Sequence, residues 1–155
     1  PLIDKLAISQ DLTFGALKEM GDNLYLPYSA RFLLGGSGIP YGEMLRGYGD
    51  NSIYGYSNSS GGKIMFKYSV ESRYLISNSP TIYLLLFAEA GNVWSDFNEF
   101  DLYELKRSVG CGFRIYMPML GILGYDVGYG FDSIDPQDDS PYGWEQHLIF
   151  GMPFN

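Results

Sequence analysis

The chain has 155 residues, a formal charge of −8, 18% charged and 17% aromatic residues, and 20 glycines. That length suits one domain, and the acidity excludes a nucleic-acid partner, which needs basic patches for phosphate. A single cysteine, Cys111, excludes an internal disulfide and a cysteine zinc site. Glycine and aromatics at this level disfavour a helical bundle and favour strands.

Residues 5–18 alternate, with Leu6, Ile8, Leu12, Phe14 and Ala16 on one parity. Lys5, Ser9, Asp11, Thr13 and Gly15 hold the other, and Gln10 breaks the apolar set. Period two predicts a strand with one apolar and one polar face. Residues 21–62 alternate weakly and carry Pro27, Gly35-Gly36, Gly38, Pro40 and Asn58-Ser59-Ser60-Gly61-Gly62. A connection of about forty residues far exceeds ordinary loops, so it is expected to be functional or folded back on the body. Arg46 is its sole cation between Arg31 and Lys63.

Residues 63–76 alternate most cleanly, Ile64, Phe66, Tyr68, Val70 and Tyr74 against Lys63, Lys67, Ser69, Glu71 and Arg73. Ser77-Asn78-Ser79-Pro80 predicts a turn. In 81–94, Ile82, Leu84, Leu86, Ala88 and Ala90 oppose Tyr83, Leu85, Phe87, Glu89 and Gly91, and Glu89 is the lone charge. An acidic loop follows. In 106–117, Val109, Cys111, Phe113, Ile115 and Met117 oppose Lys106, Ser108, Gly110, Gly112 and Arg114. In 122–131, Leu123, Tyr125, Val127, Tyr129 and Phe131 oppose Gly124, Asp126, Gly128 and Gly130. A second acidic loop leads to 144–154, where Trp144, Leu148, Phe150, Met152 and Phe154 oppose Glu145, His147 and Gly151.

Six strands of this length exceed the usual five or six residues of soluble strands. Long strands, short turns at one end, longer loops at the other and aromatics near strand ends predict an antiparallel transmembrane β-barrel. The alternative is a soluble, lipocalin-like ligand-binding barrel with its apolar face inward. Alternation alone does not separate the two, and the long loop and aromatic C-terminus favour the membrane. Ile64, Phe66, Leu84, Leu86, Phe113 and Tyr125 are then expected to face lipid.

Nothing in the chain predicts an enzyme. His147 is the only histidine, Gly35-Gly36-Ser37-Gly38 is not G-x-S-x-G, and neither G-x-G-x-x-G nor a P-loop occurs. Asp132, Asp135, Asp138 and Asp139 lack EF-hand spacing. No catalytic residue, cofactor or metal is expected.

Four motifs, in order along the chain, resemble those of the Omp85 family. Leu45-Arg46-Gly47-Tyr48 resembles its (V/L)RG(F/Y) motif in the sixth extracellular loop. Arg31-Phe32-Leu33-Leu34-Gly35-Gly36 is similar to the F-x-x-GG segment before it. Phe87-Ala88-Glu89-Ala90-Gly91-Asn92-Val93-Trp94 resembles F-x-D-x-G-x-V-W, with Glu89 where Asp is common. Phe150-Gly151-Met152-Pro153-Phe154 is similar to the terminal β-signal, with Asn155 after the aromatic that usually comes last.

The resemblance implies an all-β fold, the last six strands of a sixteen-strand barrel, with loop 21–62 entering the lumen. It implies that this piece lacks ten earlier strands and periplasmic POTRA domains, since six strands alone leave open edges in lipid. It implies a BamA-like insertase of the bacterial outer membrane, whose partners are outer-membrane lipid, unfolded outer-membrane protein clients and accessory assembly lipoproteins. Clients would enter at a weak seam, which Gly151 and Pro153 suit, because both weaken a strand. Other members offer alternatives: a two-partner secretion pore, a TamA-like protein or a patatin-fused barrel. The expected latch is Arg46, with Gly47 and Tyr48, brought by the loop onto Glu89 and Glu71, whose polar parity puts them on the lumen wall. Its planar fork suits carboxylates. Phe87 and Gly91 form the strand motif, and Phe150, Gly151 and Phe154 the β-signal.

Overall fold

The computed structural model describes residues 2–20, 27–37, 42–55, 61–119, 121–135 and 137–151. Six strands make one antiparallel sheet in chain order: β1 (Leu6–Ala16), β2 (Ile64–Asn78), β3 (Thr81–Trp94), β4 (Lys106–Met117), β5 (Gly121–Gly130) and β6 (Gly143–Gly151). The fold is all-β, and the sheet is open, with β1 and β6 at its edges. No helix among the described residues is long and apolar enough to cross a membrane.

Register turns the alternation of each strand into rows that cross the whole sheet. Leu6, Tyr74, Leu84, Phe113, Tyr125 and Leu148 stand opposite one another from β1 to β6. This row lies on the outer face, where Leu84 and Leu148 are about half exposed (49% and 58%). One residue along, Arg73, Leu85, Gly112, Asp126 and His147 form the corresponding row of the inner face. Leu85, Asp126 and His147 are buried there. A one-residue slip would exchange the two rows, so the pattern specifies the pairing strongly.

Residues from the long connection cover the inner face. Leu34 pairs with Ile53 through two backbone hydrogen bonds, Leu34 N–H to Ile53 O (3.0 Å) and Ile53 N–H to Leu34 O (2.9 Å). The Glu43 N–H donates to Leu33 O and the Gly35 N–H to Glu43 O. This holds the connection as a compact insert instead of a tether. Leu34, Leu45, Tyr48 and Ile53 of the insert bury themselves against Met65 of β2 and Val93 of β3. Phe32, Ile134 and Tyr142 flank that core.

One expectation about the outer face is corrected. Ile64 is only 2% exposed. It stands opposite Trp94 in the register, and the β3–β4 connection folds over that end of the strands. Phe100 sits edge-on to Trp94 (4.8 Å between ring centroids) and reaches Phe14 (6.4 Å). The Asn92 side-chain amide donates to Glu104 O (2.8 Å) and fastens the connection down. Apolar parity fixed the face of Ile64 but not its exposure, which depends on neighbours across the sheet. Leu84, Leu86 and Phe113 remain exposed, and Phe66 and Tyr125 are half-buried.

A buried charge network at the loop tip

The tip of the insert, Leu45 to Tyr48, is buried on the inner face. Arg46 is 1% exposed, an unusual place for a guanidinium unless carboxylates and hydrogen bonds replace its water. Three strands supply them. Glu89 on β3 accepts from Arg46 Nη2 (2.6 Å) and Nε (3.0 Å) through Oε1, and from the Arg46 backbone N–H through Oε2 (2.7 Å). Arg46 Nη1 lies 2.9 Å from Glu71 Oε2 on β2 and 3.1 Å from Asp126 Oδ2 on β5. The guanidinium carbon lies 3.8 Å from the centroid of the Phe87 ring, a cation–π contact from β3.

The three acids are not equivalent. Glu71 also pairs with Arg73. Asp126 also pairs with Arg114 on β4 through both terminal guanidinium nitrogens, Nη1 to Oδ1 and Nη2 to Oδ2 (2.7 Å). Glu89 has only Arg46 as a cation among the described residues, with the Ser69 hydroxyl donating at 3.2 Å. The six groups balance at three positive and three negative charges. A network balanced and hydrogen-bonded in this way tolerates burial, whereas one charge left over would not.

The backbone of the tip is held as firmly as its side chain. Gly47 has φ +90° and donates its N–H to His147 Nε2 on β6 (2.9 Å). Only glycine takes that conformation without strain. The Gly49 N–H donates to the Tyr142 hydroxyl (3.1 Å). Tyr48 donates its hydroxyl to Arg107 O (2.8 Å), accepts from the Asp132 N–H (3.3 Å), and packs on Tyr142. Burial pushes the Tyr48 phenol far above its ordinary pKa, so it stays a neutral donor. Small residues on β5 make the seat: a Cβ at Gly128 would lie 2.7 Å from Gly47 N, and one at Gly130 2.6 Å from Gly47 O.

The structure thus brings Arg46, Gly47, Tyr48, Glu71, Glu89 and Phe87 together. Gly91 makes room for the insert, since a Cβ there would stand 2.9 Å from Leu34 Cδ2. Phe150 and Gly151 lie apart from the network: Phe150 is exposed on the outer face, and Gly151 stands opposite Ile122 at the end of β6. Phe154 lies outside the described residues. In the sequence, Asp126, Arg114 and the Gly128/Gly130 seat are marked only by polar parity, and His147 by parity and as the sole histidine. Parity marked the face of each, but without cross-strand register nothing indicated that they meet at one point. The site offers a fixed charge that anchors a loop to a strand wall.

Residues 1–152 match the Omp85 superfamily domain. No curated protein matches the chain.

Proposed function

We propose that this chain, which belongs to the Omp85 superfamily, helps newly arrived outer-membrane proteins fold into the bilayer, as a BamA-like insertase does. Its superfamily comprises outer-membrane proteins of bacteria and organelles that insert or secrete proteins. In this reading the six strands are the last six of a sixteen-strand barrel in the bacterial outer membrane. The apolar row through Leu84 and Phe113 meets lipid, and the insert occupies the lumen. Unfolded outer-membrane proteins are the clients, and accessory lipoproteins dock on the periplasmic side.

The mechanism is physical. A strand edge presents unpaired N–H and C=O groups, and a client strand can extend the sheet there by backbone hydrogen bonds. In this reading the last strand, β6, lies at the seam where the barrel closes. The observation that carries the reading is the buried Arg46 network, which fixes the insert to the strand wall. A loop held by several buried ion pairs is costly to clear for each passenger, which favours insertion at the edge over secretion through the lumen.

The test is reconstitution of the whole protein in proteoliposomes with an unfolded barrel client. Insertion predicts faster appearance of heat-resistant, folded client than in empty vesicles, and loss of that gain in Arg46→Ala. Client folding at the empty-vesicle rate, with a soluble passenger accumulating inside the vesicles, would favour the secretion pore instead.

A further inference from the structure

β6 pairs with β5 over nine register positions. The loop tip meets the same segment from the inner face. Three backbone N–H groups of the tip find side-chain acceptors: Arg46 on Glu89 of β3, Gly47 on His147 of β6, and Gly49 on Tyr142 immediately before β6. The tip therefore spans the wall from β3 to the edge. His147 is 5% exposed, and accepting through Nε2 places its proton on Nδ1. It stands opposite Asp126 in the register, so the imidazole sits beside the carboxylate that Arg46 and Arg114 share. Glu145 of its own strand, and Asp50 and Glu89 beyond, complete the charged groups around it.

We propose that His147 is a positioning residue that fastens the edge strand β6 to the seated loop tip. Seating the loop and holding β6 against β5 are then one equilibrium. The bond uses a backbone N–H of Gly47, a position where no side chain fits because a Cβ would lie 2.8 Å from Ser108 Cβ and 3.2 Å from Gly130 N, so the partner of His147 is invisible in the residue types. The lever is short. If β6 moves away from β5, the Gly47 amide loses its acceptor in a buried site, and an unsatisfied buried donor is unfavourable. Lifting the tip likewise strips β6 of its bond to Gly47. The coupling stands on this geometry alone, so it holds whether the barrel inserts clients or secretes passengers.

Amide hydrogen exchange of the whole protein in lipid nanodiscs tests it, read on peptides covering the tip (44–50) and the edge strand (144–150). His147→Leu removes the acceptor, and both peptides should exchange about tenfold faster, the effect of losing one buried hydrogen bond on a shared opening. His147→Gln retains an acceptor at similar reach and should bring both peptides back to within about twofold of the parent. Faster exchange in the edge strand with an unchanged tip, or a glutamine variant as loose as the leucine one, would overturn the proposal. Should His147→Leu not fold, Tyr142→Phe, which deletes the acceptor for Gly49, is read in the same way. Joint loosening supports the coupling, and loosening of the tip alone overturns it.

Discussion

Glu89 holds Arg46 twice, by its side chain and by its chain. One carboxylate oxygen takes the guanidinium at 2.6 Å and the other takes the Arg46 backbone N–H at 2.7 Å. A carboxylate used this way reads position as well as charge. Any residue but proline at 46 keeps the N–H contact, but only arginine fills the space between Glu89, Glu71 and Asp126 with a planar fork. Arg46→Lys should therefore restore part of what Arg46→Ala loses, because one ammonium cannot serve three carboxylates from three strands. The fraction of heat-resistant folded barrel on a gel should rank wild type, then lysine, then alanine. Lysine equal to alanine would mean that charge at position 46 contributes nothing.

Phe87 lies beneath the guanidinium, and its ring is the one aromatic contact described for Arg46. Phe87→Leu preserves apolar volume and removes the ring face. We expect a loss of about 1 kcal/mol in a denaturant titration of the folded barrel. The loss should vanish in an Arg46→Ala background.

Gly128 and Gly143 make a matched pair of glycines. A Cβ at Gly128 meets the Gly47 backbone, while a Cβ at Gly143 meets nothing within 4 Å. Gly128→Ala should lift the tip and cost about 1–3 kcal/mol through overpacking. Gly143, with φ +101°, should show only the backbone strain of its conformation. Proteolysis of the insert separates the two, because only Gly128→Ala should expose cleavage sites within residues 42–55.

These glycines show what was legible in the sequence and what was not. Alternation placed Glu71, Glu89, Asp126, Arg114 and His147 on one face, because the period-two pattern is local. It did not show that a loop residue 43 positions from Glu89 would reach it. The motif resemblance supplied that expectation for Arg46 and Glu89, and nothing comparable pointed to Asp126 or His147. Their contacts arise from register between strands and from backbone groups, which carry no residue-type signal. Ile64 illustrates the same boundary from the other side: its face followed from parity, but its burial did not.

Leu84 and Gly112 test the two faces. Leu84→Arg puts a charge on the outer row and should cost about 2–4 kcal/mol near the midplane of a bilayer. Gly112→Arg acts on the inner face, where even a Cβ would collide with Asp126, so its damage should arise from crowding and persist in any solvent. Folding yields in liposomes and in detergent distinguish them. A Leu84→Arg barrel unaffected by the bilayer would mean that the outer row does not meet lipid.

Asp132 and Arg107 predict the behaviour in acid. Partial burial alone would raise the Asp132 pKa, but hydrogen bonds and charge from Arg107 outweigh it and hold the pKa below the ordinary aspartate range. A folded pKa below the unfolded one means that the clasp stabilises fully above the unfolded value, about 4, and fades as pH falls through the lower folded value. Exchange protection at residues 131–135 should therefore be flat from pH 8 to about 5. It should drop only in stronger acid, and Asp132→Asn should remove that drop.

The pairing of Arg46 with Glu89 is the central contact of the latch, and a double-mutant cycle on these two residues measures it directly. Arg46→Ala alone leaves Glu89 buried with no cation, while Glu71 and Asp126 retain Arg73 and Arg114. Glu89→Ala alone leaves Arg46 with two acids and an unpaired backbone N–H. The arginine variant should therefore be the more damaged of the two, and the double variant should be less damaged than the sum. With denaturant midpoints of the folded barrel as the readout, we predict a coupling energy above about 1 kcal/mol. Additive losses, with coupling below about 0.5 kcal/mol, would contradict the latch.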